Sequence, residues 1–82
     1  MGRRVGAIDV HVANRIRKRR EELGLSYRTV AREIGVSWQQ VQKYELGLNR
    51  VSAEHLFRLS LALDVEVEYF FEAIESGARI AD

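Results

Sequence analysis

Stop-and-start pairs of glycine and serine recur along this chain, and they constrain its fold more than any other feature. Gly24-Leu25-Ser26, Gly35-Val36-Ser37 and the pair Gly47 and Ser52 cut it into short segments. Glycine just past a helix and serine just before the next is the ordinary punctuation of consecutive helices. No proline interrupts any segment, and apolar residues inside them recur at helical intervals. Asp9 is the expected N-cap of a first helix carrying Val12, Ile16 and Leu23 and ending at Gly24. Ser26 caps a second with Val30, Ala31 and Ile34 inward, and Ser37 a third with Val41 and Tyr44 inward. Ser52 starts a fourth with Leu56, Leu59 and Leu63. A fifth is expected from Val67, because Val67, Phe70, Phe71 and Ile74 follow the i, i+3, i+4, i+7 pattern. The expectation is an all-α, five-helix domain over residues 9–76, preceded by a flexible basic arm (1–8) and followed by a tail (77–82).

A length of 82 residues suits one domain. The chain has no cysteine, which excludes a disulfide framework or a thiolate metal site. No apolar run approaches the roughly 20 residues that span a bilayer, and no signal-peptide pattern is evident, so a cytoplasmic protein without membrane contact is expected. The net charge of +1 conceals a division. Residues 1–50 hold eleven Lys/Arg and five Asp/Glu, whereas residues 51–82 hold two and seven. One face for a polyanion, or an unevenly charged solvated surface, would each produce that division.

The stretch Tyr27–Leu46 is two short helices meeting at a three-residue turn, Gly35-Val36-Ser37. A steep helix crossing needs a glycine that accepts positive φ, and small Ala31 lets the helices approach. With Val30, Ile34, Val36, Val41 and Tyr44 filling the angle, the outer face of the third helix is left with Trp38, Gln39, Gln40 and Lys43. Lys43 lies four residues after Gln39 and three after Gln40, so these can share a face. Glutamine pairs with adenine N6 and N7, and lysine reaches guanine O6 and N7, so base contact is expected here. Gln40 has a second reading: as the last residue of the S-x-x-Q capping box it would reach back to the Ser37 amide. Trp38 also has two readings, packing on thymine methyls or the sugar-phosphate edge, or folding over the second helix.

Together these residues resemble the phage Cro and repressor group of helix-turn-helix proteins, the Xre family. The resemblance runs from about Val12 to Glu72 and is carried by RIRKRREELGLS (15–26), the Ala31 and Gly35 spacing, and YELGLNRVSAEHLFRLSLALDV (44–65). It implies a lambda-repressor-like DNA-binding domain with its helix-turn-helix at helices two and three, acting as a transcriptional regulator, in the first instance a repressor. It implies base contacts at Trp38, Gln39 and Lys43, phosphate contacts at Ser26, Tyr27 and the loop 47–50, and an ion pair between Arg20 and Glu45. Asn49 and Arg50 in that loop read as a phosphate clamp, and the amides behind the Ser26 and Ser37 caps suit phosphate too. This chain departs from the family in carrying Trp38 where a small or amide side chain is usual, Asp64 where glycine commonly ends helix four, and Glu66 as the cap of helix five.

The basic run Arg15–Arg20 reads as a solvated face, with DNA contact by Arg17 or Arg19 as the alternative, and Arg3 and Arg4 as a loose electrostatic arm. Val67, Phe70, Phe71 and Ile74 exceed what a small core needs and are expected to form a homodimer surface. His11 and His55 stand apart from any ligand spacing, so no metal is expected. No nucleophile-base arrangement, P-loop or nucleotide fingerprint is present, and no cofactor, small-molecule ligand or enzymatic activity is expected. Double-stranded DNA bound by a symmetric dimer is the leading expectation. A protein-interaction module, antitoxin-like or adaptor, is the competing one, because fold does not fix function.

Overall fold

Helix α1 begins earlier than Asp9, for a local reason. In the computed structural model, which describes residues 5–74, α1 spans Ala7–Glu22 with Gly6 as N-cap. Asp9 sits in the first turn instead, and its carboxylate accepts the Gly6 amide proton at 2.9 Å. An acidic group there also meets the positive end of the helix dipole. Ala7 and Ile8 are thus helical rather than part of an arm. Arg3, Arg4 and the 77–82 tail lie outside the described residues.

Helices α2 (Tyr27–Ile34), α3 (Trp38–Glu45) and α4 (Ala53–Ala62) follow the serine punctuation. Ser26, Ser37 and Ser52 each accept the backbone amide three residues on, from Thr29, Gln40 and His55, at 3.1 Å in every case. Each such cap contributes about 1 kcal/mol. Gly35 ends α2 at φ 78, and Asp64, standing where the family commonly has glycine, takes the left-handed conformation too at φ 56. Asp tolerates that region better than most residues. Arg19 steadies this corner from α1, its Nε donating to the Leu63 carbonyl at 2.9 Å and its Nη2 to Asp64 O at 3.4 Å.

The fifth α-helix does not form, so the five-helix expectation is corrected to four α-helices and one short 3₁₀ turn, Val67–Phe71. Spacing could not separate the two, because residues i and i+3 share a face in both. The surroundings decide. Arg15 Nε donates to the Tyr69 carbonyl at 3.0 Å, and His11 Nε2 bonds the Glu72 carbonyl at 2.6 Å. An α-helix would offer those oxygens to amides four residues on. Glu66 supplies no side-chain cap, Glu72 is extended, and Ala73 turns left-handed at φ 66. Valine, tyrosine and phenylalanine are also weak helix formers.

The buried core joins all five elements: Val12 and Ile16 of α1, Val30, Ala31 and Ile34 of α2, Val41 and Tyr44 of α3, Leu59 and Leu63 around α4, and Phe70 of the 3₁₀ turn. Phe70 is fully buried within one copy, which removes it from the expected dimer surface. Phe71 is exposed, while Val67 and Ile74 are half-buried. Phe57 and Leu61 on α4 are more exposed than any of these, at 56% and 67%.

Candidate nucleic-acid interface

Consuming one side of α3 in the core is what aims the other side outward. Val41, Tyr44 and Glu45 are buried, whereas Gln39 and Lys43 are exposed. The turn that sets this attitude is tied to α2 by two amides, Gly35 N and Val36 N, both donating to Ala31 O at 2.8 and 3.1 Å. Glycine is required here by its positive φ rather than by lack of space, since an added Cβ would come no nearer than 3.4 Å to Arg58 Nη1.

The expected base-contacting residues separate into two kinds. Gln39 and Lys43 project freely, without a side-chain bond among the described residues. Gln40 is half-buried and turns away from the Ser37 amide, so the side-chain half of the capping box is absent. Its Nε2 donates instead to Asn49 Oδ1 at 3.0 Å, and Asn49 Nδ2 donates to Leu48 O at 3.0 Å. Gln40 thus braces the loop after α3. Trp38 is half-buried, packed against the core, with the Arg28 guanidinium carbon 5.4 Å from its ring centroid.

Among the expected phosphate-contacting residues, Ser26 and Ser37 are occupied as caps. Behind each, the first helical amides have no intrahelical acceptor and remain available to an anion. Tyr27 carries the Arg20 guanidinium carbon 4.3 Å from its ring centroid. Arg50 is engaged with Asp9, Nε lying 3.1 and 3.2 Å from the two carboxylate oxygens and Nη2 3.0 Å from one of them. That pair fastens the loop after α3 to the first turn of α1.

Arg20 and Glu45 form a two-pronged ion pair, Nε to Oε2 at 2.6 Å and Nη2 to Oε1 at 3.0 Å, while Arg20 Nη1 donates to Leu25 O at 2.8 Å. Glu45 is only 4% exposed. Its hydrogen bond, opposed by burial, raises the Arg20 pKa above the ordinary arginine value. The pair locks α1 onto the end of α3. Burial also raises the Tyr44 phenol beside it on α3.

Every Lys and Arg of α1 has an acidic partner within the molecule, although Arg17 and Lys18 and their partners lie at the surface. Arg15 pairs with Glu72 at 2.9 Å and lies 4.0 Å from the Tyr69 ring centroid. Arg17 pairs with Glu21, and Lys18 with Glu22, whose mutual hydrogen bond raises the lysine pKa and lowers the carboxyl. Arg58 pairs with Glu54. Among the described Lys and Arg residues, Arg28, Arg32 and Lys43 are left without an ion pair, and all three belong to α2 and α3. The sequence reading missed Arg28 and Arg32, although the clue was there. Neither has an acidic residue three or four positions away, whereas Arg17, Lys18 and Arg58 do. Among the described residues no group of three or more His, Asp or Glu could hold a metal ion, and no helix is long and apolar enough to cross a membrane.

A helix-turn-helix family model matches residues 16–70. The chain is 49% identical over 75 residues to an uncharacterized transcriptional regulator in the ATPase CF(0) region of Rhodospirillum rubrum, spanning 92% of this chain and 69% of that protein. It spans about half the length, 47–49%, of helix-turn-helix-type transcriptional regulators that it matches in Sinorhizobium and Rhizobium. Among solved structures, the restriction-modification controller protein C.AhdI of Aeromonas hydrophila superposes with TM-score 0.76 at 33% identity, covering 80% of this chain and 100% of that one. The P22 c2 repressor, solved with a synthetic operator, superposes with TM-score 0.68 at 29% identity, covering 72% of this chain and 89% of that one.

Proposed function

The chain belongs to the helix-turn-helix family, and from that membership we propose that α3 reads double-stranded DNA in the major groove to regulate transcription. One observation carries this reading: the exposed side of α3 presents Gln39 and Lys43 where, among the described residues, the Lys and Arg side chains without an ion pair all belong to α2 and α3. Positive charge draws the domain to the phosphate backbone, and the helix N-termini of α2 and α3 set its register there. Gln39 and Lys43 then choose bases by the pairings open to amides and ammonium groups. Asn49 and Arg50 serve the backbone from the loop, Arg50 sharing its guanidinium with Asp9. The P22 c2 repressor, similar over most of this chain, was solved with an operator, which supports the same docking here.

The functional unit is a symmetric dimer acting in the cytoplasm as a repressor on a near-palindromic operator, its two α3 helices entering successive major grooves about 34 Å apart. Exposed Phe57 and Leu61, which line one hollow with Val67, and exposed Phe71 supply apolar surface for that contact. Sedimentation at micromolar and higher concentration, with and without duplex, tests the dimer; a strict monomer in both would remove it. Selection of bound duplexes from a random pool tests the whole reading and yields the operator. On that operator Gln39→Ala loses about 1–3 kcal/mol of discrimination while keeping its affinity for random duplex. Equal losses on both would contradict base reading by Gln39.

A further inference from the structure

The aromatic step between α2 and α3 is left unexplained by base reading. Tyr27 and Trp38, with Ser26 and Arg28, line a cavity of about 240 Å³. Each aromatic wall is paired with an arginine, and the two arginines differ. Arg20, against Tyr27, is held on all three nitrogens by Glu45 and the Leu25 carbonyl. Arg28, against Trp38, lies on an exposed residue with neither an ion pair nor a hydrogen bond among the described residues. Its guanidinium is within the roughly 6 Å over which an indole face attracts a cation, and indole is the strongest of the aromatic partners.

Resting on the DNA reading above, we propose that Arg28 is a phosphate anchor and that Trp38 positions it. Trp38 then acts on DNA through Arg28 rather than by touching bases. An unrestrained arginine side chain loses considerable rotamer freedom when it grips a phosphate, and a ring that already holds the guanidinium reduces that loss. Phosphate is the expected ligand because the first helix of a helix-turn-helix crosses the backbone while the second enters the groove. The guanidinium also offers a fork of donors that a phosphate fills with two bonds. The same contact accounts for a tryptophan at the head of α3, where its ring is half-covered by its own protein.

The test is the salt dependence of binding to a random-sequence duplex, read by fluorescence anisotropy on the full chain. Arg28→Ala should flatten the slope of log affinity against log salt by about one, which at 0.1 M salt is a loss of roughly five- to ten-fold, equal on random and selected duplex. Trp38→Leu, which keeps apolar contact with the core but removes the aromatic face, should weaken binding of both duplexes alike and add nothing to Arg28→Ala. Trp38→Phe should restore most of the effect. The proposal is overturned if Arg28→Ala leaves the slope unchanged, or if Trp38→Leu abolishes operator preference while random binding persists. It is equally overturned if the Trp38→Leu and Arg28→Ala losses add in full. Absence of any salt-dependent binding by the unaltered chain would remove the DNA reading itself, a result distinct from a bound duplex that ignores Arg28.

Discussion

Helix α1 carries the densest positive charge in the chain, and α2 with α3 carries less, yet their side chains face opposite tasks. Arg15, Arg19 and Arg20 reach carbonyls or carboxylates that belong to later parts of the sequence. Arg17 and Lys18 are matched within their own helix. Arg28, Arg32 and Lys43 reach no carboxylate among the described residues. A run of basic letters therefore measures how much charge is present, not how much is available to a ligand. Availability depends on what lies one helical turn away and on which core groups need a donor.

Removing Arg20 should produce the largest effect and the cleanest break between the two regions. Arg20→Ala leaves buried Glu45 without its partner and should cost about 3–5 kcal/mol in urea unfolding. An unchanged midpoint would mean that α1 is held to α3 by apolar contacts alone. The paired variants Arg19→Ala and Arg32→Ala sharpen the contrast. The first loses charge-assisted bonds to the α4 corner and should cost about 1–3 kcal/mol while leaving the salt slope of duplex binding untouched. The second should alter stability by no more than about 0.5 kcal/mol, yet flatten that slope by about one. Were Arg19→Ala to flatten the slope as well, α1 would belong to the interface after all.

Smaller effects probe the structural side. The Tyr69 hydroxyl is buried without a hydrogen-bond partner among the described residues. Its ring serves Arg15 with or without the oxygen, so Tyr69→Phe should be neutral or stabilising by up to about 1 kcal/mol in the same unfolding experiment. The last effect is one of pH. Burial raises the Tyr44 phenol, so the fold favours its neutral form. That contribution is complete below the unfolded tyrosine value of about 10 and declines as pH rises through the higher folded value. Urea midpoints measured from about pH 8 to 11 should fall less steeply in Tyr44→Phe than in the unaltered chain.

Most of the fold is legible because its boundaries are chemical. The serines at 26, 37 and 52 cap helices, and Gly35 makes the turn, for reasons visible in the letters alone. The last element is not legible, because its fate rests on partners from α1, over fifty residues away in the chain. Nor could spacing separate inward Phe70 from outward Phe71, since either could face the core until the 3₁₀ geometry chooses. At the interface, the outward display of Gln39 and Lys43 follows from the apolar pattern of α3. Gln40 and Arg50 turn to Asn49 and Asp9 through contacts that only the folded loop creates.

The long reach of those α1 arginines bears on synthesis. A ribosome delivers Arg15, Arg19 and Arg20 before Glu45, the Leu63 carbonyl or the Tyr69 carbonyl exists. Docking of the first helix therefore waits until most of the chain has emerged. In that interval Arg15 and Arg20 lack the carboxylates they meet in the finished fold, while Arg17, Lys18 and Arg19 already have Glu21 and Glu22 beside them in the same helix.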